Sequence, residues 1–356
     1  MKERAEQFGF RFLIKVGLCG EIAMPMLHML PGYYDHNRRV VTGLIRNGLL
    51  RERRFKTYDR RIVRSLSLTN GGLEQIGDYD PDMAYLISQH PLYPASGQGN
   101  WERTRRLHRG AACLLMAERL GAVYMPGEEK DAALGKRLVY YSAYEINKRF
   151  DMDNKSARVS GVLISPDNRY YLLYYLGRHN MRWNPEVESE YRNRLEYSLI
   201  GCDRRYYRSI LIADNWDIGE SLVSHAENPR TRLIRCSSSD RMNLVTFDEN
   251  GLKLLRLLVD EDREFTLMRW LNSTYGVPLP QFSAADYLFN ISDVLGYYPT
   301  TQRCSRLAVK LEGYFFDFQI TVMQKINGGY SKLYSIPVNI LDEFERQYSE
   351  KTGGEG

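Results

Sequence analysis

The stretch from Tyr33 to Ile76 limits most strongly what this chain can fold into. Val40, Val41, Leu44 and Ile45 recur at the spacing of one helical face, and Gly48 is a natural stop just beyond them. Asp35 is the expected N-cap, because a short carboxylate can accept from the free N–H groups of a first turn. Two runs of alternating character follow, Leu49 to Phe55 and Ile62 to Leu68, joined by a polar turn. Alternation on both sides of a turn predicts a β-hairpin. Thr69 then opens another helix.

Upstream, Phe8, Phe10, Phe12, Leu13 and Val16 predict a first helix from about Arg4 to Leu18. Glu21 to Leu30 predicts a short second helix, with Pro25 tolerable only near its first turn, and Pro31-Gly32 forms the turn into the third. Three helices, a basic hairpin and a Leu-Thr-x-x-Gly exit have the order of a winged helix-turn-helix domain. The charge supports that reading. Tyr33 to Arg64 holds nine Arg and one Lys against Asp35, Glu52 and Asp59, a net of +7, whereas the whole chain is only +5. A basic excess confined to one helix and one hairpin is the footprint of a phosphate-binding surface. At 100° per residue, Arg39, Thr42 and Arg46 fall opposite the apolar stripe, with Arg38 flanking. In this motif that face enters the major groove, where Arg hydrogen-bonds guanine. Arg53, Arg54, Arg60 and Arg61 lie on the hairpin and are expected at phosphate or the minor groove. The expected partner is double-stranded DNA, bound as a homodimer on a repeated site, with residues 1–80 carrying most of the non-specific affinity. The bland alternative is a solvated basic face on a protein-interaction domain.

A chain of 356 residues is long enough for two or three units, and 43% hydrophobic with 26% charged residues is ordinary for a globular protein. Tyrosine is over-used, 26 against 13 Phe, much of it in pairs such as Tyr170-Tyr171 and Tyr174-Tyr175. Tyr suits half-buried strands, where one end of the ring stays wet. A Tyr nucleophile for DNA cleavage lacks any His-x-His metal pair to serve it. The five cysteines are scattered, odd in number and without metal spacing, which predicts free thiols in a reducing cytoplasm. No apolar run reaches the length of a membrane span, and Met1-Lys2-Glu3-Arg4 leads to no signal-peptide core, so a cytoplasmic protein without a membrane partner is expected.

The expected domains are a DNA-binding domain over 1–80, a linker and amphipathic helix over 81–130, and a mixed α/β domain over 131–356. Gly77 to Asn100 carries three prolines and reads as linker, with a helical turn around Met83 to Ser88. Trp101 to Leu120 reads as an amphipathic helix whose head holds Arg103, Arg105, Arg106 and Arg109. It suits packing and a second DNA contact about equally. Beyond Lys136, strands are expected at Arg137–Ser142, Val159–Ser165, Tyr170–Leu176, Ser209–Ala213, Arg232–Arg235, Asn243–Phe247 and twice within Arg306–Met323. Helical stretches are expected at Tyr144–Arg149, Pro185–Ser198, Gly219–Ala226, Glu264–Tyr275 and Ile340–Tyr348. The fold class is α+β. No phosphate-binding, dinucleotide, nucleophile-elbow or zinc-protease motif occurs. A metal-dependent nuclease needs acids at adjacent strand ends and usually a nearby Lys. Asp167, Asp214 and Glu145 with Lys148 are the candidates, but the strand after Asp167 offers no Glu-x-Lys. No catalytic residue, metal ligand or cofactor is therefore assigned.

The N-terminal pattern, the segment Trp101 to Ala122, and the strand pairs from Val159 with Met181-Arg182-Trp183 beyond them resemble the replication-relaxation proteins of Gram-positive plasmids and integrative conjugative elements. The resemblance implies an N-terminal winged helix that binds DNA and a C-terminal nuclease-type α/β core, here in a degenerate version. It further implies a role in replication, relaxation or transfer of mobile DNA, with replication or transfer proteins as partners. The rival functions are a metal-dependent nuclease and a transcriptional regulator whose C-terminal domain binds a ligand or partner.

Overall fold

The computed structural model describes residues 2–57, 60–89, 101–125, 130, 133–149, 157–179, 181–200, 205–215, 218, 242–260, 263, 266, 269–270, 273, 321–326, 330–334 and 342–348. The protein is mixed α+β and divides into two compact units, Met1–Ala133 and Leu134–Gly356.

In the first unit α1 (Lys2–Cys19) is the hub. Phe12, Leu13, Ile14, Lys15 and Val16 are all buried, because α1 is covered on several sides. The expected second helix is instead a strand, β1 (Glu21–Ala23), followed by a 3-10 turn (Met24–Met29) with Pro25 near its start. The three residues of β1 have no periodicity of their own. They become a strand by pairing antiparallel with β3, Glu21 opposite Ser67 and Ala23 opposite Ser65. Next come α2 (Tyr34–Arg46), β2 (Leu50–Lys56) and β3 (Ile62–Leu68), and the sheet order is β1-β3-β2. Asp35 is not the cap of α2; Tyr33 occupies that position without a side-chain bond, and Asp35 lies in the first turn, where its charge still favours the helix dipole. Thr69 caps α3 (Asn70–Tyr79) by accepting from the Gly72 N–H at 3.0 Å. The expected linker is helical where it is described. Asp80 ends α3 and caps α4 (Pro81–Ser88), accepting from the Met83 N–H at 2.9 Å; residues 90–100 lie outside the described residues. The long helix α5 (Trp101–Arg119) packs on α1, β1 and the 3-10 turn.

Among the described residues the second unit holds a sheet of seven strands, β10-β9-β8-β7-β6-β5-β4. Strands β4 (Val139–Ser142), β5 (Gly161–Ile164) and β6 (Arg169–Gly177) form an antiparallel meander. After β4 comes α6 (Ala143–Arg149), and after β6 comes α7 (Pro185–Ile200). Strand β7 (Arg205–Ala213) is parallel to β6, and β8 (Met242–Thr246) is parallel to β7. The segment Gly251–Val259 falls within a helix, α8 (Glu249–Val259), capped by Asp248. Strand β9 (Thr321–Ile326) is antiparallel to β8 and β10 (Tyr330–Tyr334) antiparallel to β9, and α9 spans 342–348. The helix expected at Gly219–Ala226, the strand at Arg232–Arg235, most of Glu264–Tyr275 and the strands before Thr321 lie outside the described residues. The tyrosines of the sheet depart from the expectation of half-buried rings with a wet end: Tyr140, Tyr170, Tyr171 and Tyr174 are all nearly inaccessible and fill its two faces.

Candidate nucleic-acid interface

The orientation of α2 is set from underneath. Asn37, buried between Val40 and Val41 on the wheel and the preceding turn, donates from Nδ2 to the carbonyls of Pro31 (3.2 Å) and Leu30 (3.4 Å). Those carbonyls end the 3-10 segment, so one side chain fixes both the turn and the roll of the helix. Val41 is fully buried beside it. Arg38, Arg39, Thr42 and Arg46 are exposed on the opposite face. Two of them are pre-ordered on their own helix: Arg39 Nε donates to the Asp35 carbonyl (3.3 Å), and the Thr42 hydroxyl to the Arg38 carbonyl (2.8 Å). Helical periodicity alone thus identifies the exposed face correctly. It does not identify Asn37, because a polar residue on an apolar stripe looks like a flaw until its backbone partners are known.

The hairpin splits its arginines between its two sides. Arg53 pairs with Ser65 in register and turns toward α5. Its guanidinium is held by Glu21 at 2.7 Å and lies 4.9 Å over the Phe55 ring, with only 13% of the side chain accessible. Arg53 therefore serves the packing of the sheet and is removed from the expected set of hairpin contacts. Arg54 is on the other side and 73% accessible. Glu52 binds it at 3.3 Å and also binds Arg64, with Arg64 Nε at 2.8 Å. The hydrogen bond from Arg64, ahead of the one from Arg54, holds the Glu52 carboxyl below its ordinary range. Glu52 likewise raises the Arg64 pKa, and Tyr34 at the start of α2 lies close enough to add to that effect. The position of Arg64 diagonal to Glu52 across the strand pair was the available sequence signal. At the tip, Arg60 and Arg61 are exposed, and Arg60 adopts a left-handed backbone with φ 62°. The turn is closed by Thr57 N–H to the Arg61 carbonyl (2.8 Å) and by Arg60 N–H to the Thr57 carbonyl (3.0 Å).

The other side of the sheet carries a buried polar chain. The Ser65 hydroxyl contacts Glu21 Oε2 at 2.7 Å and His108 Nε2, on α5, at 2.8 Å. Serine, histidine and an acid are all present, but the acid meets the serine and not the imidazole, and all three are buried. A hydrolytic triad needs the acid on the histidine and an open nucleophile. The cluster instead fastens α5 to the sheet. Burial pushes the His108 pKa down to about 3, so the ring is neutral.

In the second unit the three acids weighed for a metal site do not come together. Glu145 forms a capping box with Ser142: the Ser142 N–H donates to Glu145 Oε2 (2.8 Å) and the Glu145 N–H to Ser142 Oγ (3.2 Å). Asp167 sits in the β5–β6 turn, bound by Ser165 and by Arg169 Nε at 3.1 Å. Asp214 follows the far end of β7, bound by the Tyr175 hydroxyl and by Arg178 Nε at 3.5 Å. Because β6 and β7 run parallel, with Arg169 opposite Arg205 and Gly177 opposite Ala213, Asp167 and Asp214 are at opposite ends of the strands. That separates them by roughly 25–30 Å at about 3.3 Å per residue. Among the described residues no group of three or more His, Cys, Asp or Glu is arranged to hold a metal ion. A small cavity of about 30 Å³ is lined by Tyr174, Trp183, Glu188 and Ser209, and has room for a water or two. Glu188 accepts there from the Arg158 N–H at 2.6 Å and the Tyr174 hydroxyl at 3.3 Å, and burial raises its pKa to about 7.

No described helix is long and apolar enough to cross a membrane. The chain matches no protein-family model, no curated protein and no solved structure.

Proposed function

We propose that the first unit is a winged helix-turn-helix that binds duplex DNA, with α2 as the recognition helix and the β2–β3 hairpin as the wing. The observation that carries this reading is the exposed face of α2. Arg38, Arg39, Thr42 and Arg46 project together from a helix whose roll is fixed by Asn37 on two backbone carbonyls. A helix held this rigidly, with cations and a hydroxyl on its outer face, suits a major groove, where Arg contacts guanine bidentately. Arg54, Arg60, Arg61 and Arg64 on the hairpin suit phosphates. The helix–strand–3-10–helix–hairpin order with sheet order β1-β3-β2 supports the winged assignment. In the cell this would be an accessory protein of a mobile genetic element, acting in plasmid or conjugative-element replication, relaxation or transfer. It would bind as a homodimer on a repeated site, and the second unit, a degenerate nuclease-like core, would serve assembly with replication or transfer proteins.

The test is duplex selection from a random library with the full chain, then titration of the selected and scrambled duplexes at two salt concentrations. Arg39→Ala or Arg46→Ala should cost about 1–3 kcal/mol on the selected site and relax preference at one base pair. Replacing Arg60 and Arg61 should weaken both duplexes alike and shrink the salt slope by about one unit for each phosphate no longer neutralised. A folded chain that enriches no duplex and binds none at low salt would defeat the reading.

A further inference from the structure

We propose that Ile62 is an apolar wedge: with the hairpin in the minor groove, its side chain enters between two base pairs, partly unstacks them and bends the duplex. The inference rests on the DNA-binding reading of α2 and the wing. Its first support is register. In the β2–β3 hairpin Lys56 is opposite Ile62, Phe55 opposite Val63 and Arg54 opposite Arg64. Cross-strand partners share a face, and successive pairs alternate between faces. Phe55 is buried with its ring 6.2 Å from that of Trp101, so it marks the face covered by α5. Ile62 and Lys56 are therefore on the other face, with Arg54 and Arg64. Ile62 is 69% accessible there, more than any other large aliphatic side chain among the described residues.

The surroundings of Ile62 are the second support. Lys56 is across the strand pair, Arg60 and Arg61 precede it at the tip, and Arg54 and Arg64 lie one step inward on the same face, where Glu52 binds both. All five cations are exposed. An apolar protein partner seated on Ile62 would have to desolvate them, whereas a duplex uses them. Phosphates line both edges of the minor groove and base-pair edges form its floor, so a projection with an apolar centre and a cationic rim fits it. Apolar side chains, Ile among them, separate base steps from that groove and kink the duplex. Stiffness is the third support. The turn before Ile62 is closed by Thr57 N–H to the Arg61 carbonyl (2.8 Å), Arg60 N–H to the Thr57 carbonyl (3.0 Å) and Arg61 N–H to Thr57 Oγ1 (3.0 Å). Branching at Cβ further restricts the Ile62 side chain. A wedge must hold its shape against the base stack, and this one has little freedom left to lose on binding.

The test compares the full chain with its Ile62→Ala and Ile62→Val variants on the selected duplex, labelled with fluorophores at its two ends. Energy transfer between the ends reports bending. A fluorescent adenine analogue, substituted in turn at each adenine of the site, brightens where a base loses its stacking. The unsubstituted chain and Ile62→Val should bend the duplex and brighten a position at a flexible pyrimidine–purine step. Ile62→Ala should leave the duplex nearly straight and the analogue dark, and should bind about three- to tenfold more weakly. Its salt slope should be unchanged, because no phosphate contact is lost, and so should its unfolding temperature. Bending and brightening that Ile62→Ala retains, or an unsubstituted chain that binds without bending, would overturn the inference and leave the α2 reading standing. A lower unfolding temperature or a smaller salt slope for Ile62→Ala would also overturn it, because Ile62 would then be shaping the turn. So would loss of self-association in that variant, because Ile62 would then be a contact between copies of the chain. No duplex binding by the unsubstituted chain would defeat both.

Discussion

Arg60 sits in the left-handed region at φ 62°, a conformation that disfavours any residue with a Cβ and suits glycine. A cation kept at such a position trades stability for charge at the tip of the hairpin. Arg60→Gly should therefore leave the unfolding temperature unchanged or raise it, while reducing duplex affinity and the salt slope by about one unit; a lower unfolding temperature would mean that the arginine side chain packs the turn. Two buried titratable groups act in opposite directions with pH. The neutral His108 has its pKa lowered to about 3, so between about 6.5 and 3 the unfolded chain takes up a proton that the folded one refuses. Its contribution is complete above pH 6.5 and declines as the pH falls, by up to about 1.4 kcal/mol per unit. Glu188 has its pKa raised to about 7, so the folded chain keeps a proton that the unfolded one releases. Its contribution is complete below about pH 4.5 and is lost as the pH rises through 7. Urea titrations between about pH 5 and 8 should show that Glu188→Gln abolishes the decline toward alkaline pH and His108→Gln the decline toward acid. A pH dependence identical to the unsubstituted chain's in either variant would show that the burial inferred for that group is wrong.

At the scale of elements, the junction of α2, β2 and α3 is a single device. Gly48, at φ 71°, ends α2, and the Thr69 hydroxyl donates to its carbonyl at 2.6 Å while accepting from the Gly72 N–H. A Cβ on Gly72 would lie 2.2 Å from the Leu49 carbonyl oxygen, so α3 can approach β2 only with glycine there. Gly72→Ala should destabilise the unit by about 1–3 kcal/mol, the range for overpacking, and should do so whether or not DNA is present; denaturant unfolding decides it. The Leu-Thr-x-x-Gly exit was legible in the sequence for this reason: cap, close approach and turn each demand a residue type. The exposed face of α2 and both hairpin strands were legible too, since periods of 3.6 and 2 are properties of the local chain. Strand β1 was not, because Glu21, Ile22 and Ala23 owe their conformation to Leu66 and its neighbours. Nor was the fate of Arg53. Its neighbour Arg54 looks the same in the sequence, and only the register with Ser65 and the approach of Glu21 and Phe55 turn one inward. Whether Asp167 and Asp214 could meet was equally illegible, because that depends on β6 and β7 being parallel.

For the whole molecule, each unit makes its own prediction. Glu145, Asp167 and Asp214 are each engaged in a local structure, and Asp167 and Asp214 stand at opposite ends of the paired strands β6 and β7. The full chain with Mg²⁺ or Mn²⁺ should accordingly not cleave plasmid DNA. Robust cleavage that an Asp167→Ala or Asp214→Ala variant abolishes would restore the nuclease reading. The first unit poses a question of extent. A fragment ending at residue 80 keeps every exposed cation of α2 and the hairpin, so charge alone predicts that it binds duplex by itself. The packing predicts otherwise. Leu107, Ala111, Ala112, Leu115 and Met116 of α5 are buried, Lys15 of α1 is closed off by Glu118 at 2.6 Å, and Ser65 and Glu21 share their buried hydrogen bonds with His108. Without α5 the surface of α1 and β1 that it covers faces water and Lys15 loses its partner Glu118, which forfeits the burial of several large side chains at about 1.5–3 kcal/mol each. Domains of this size are stable by only about 5–15 kcal/mol, so the deficit exceeds what the remainder can absorb. Residues 1–133 should unfold in one cooperative transition and bind duplex with the salt slope of the full chain; residues 1–80 should show no such transition. A sharp unfolding transition for 1–80 at the temperature of 1–133 would mean that α5 rests on a core already complete without it.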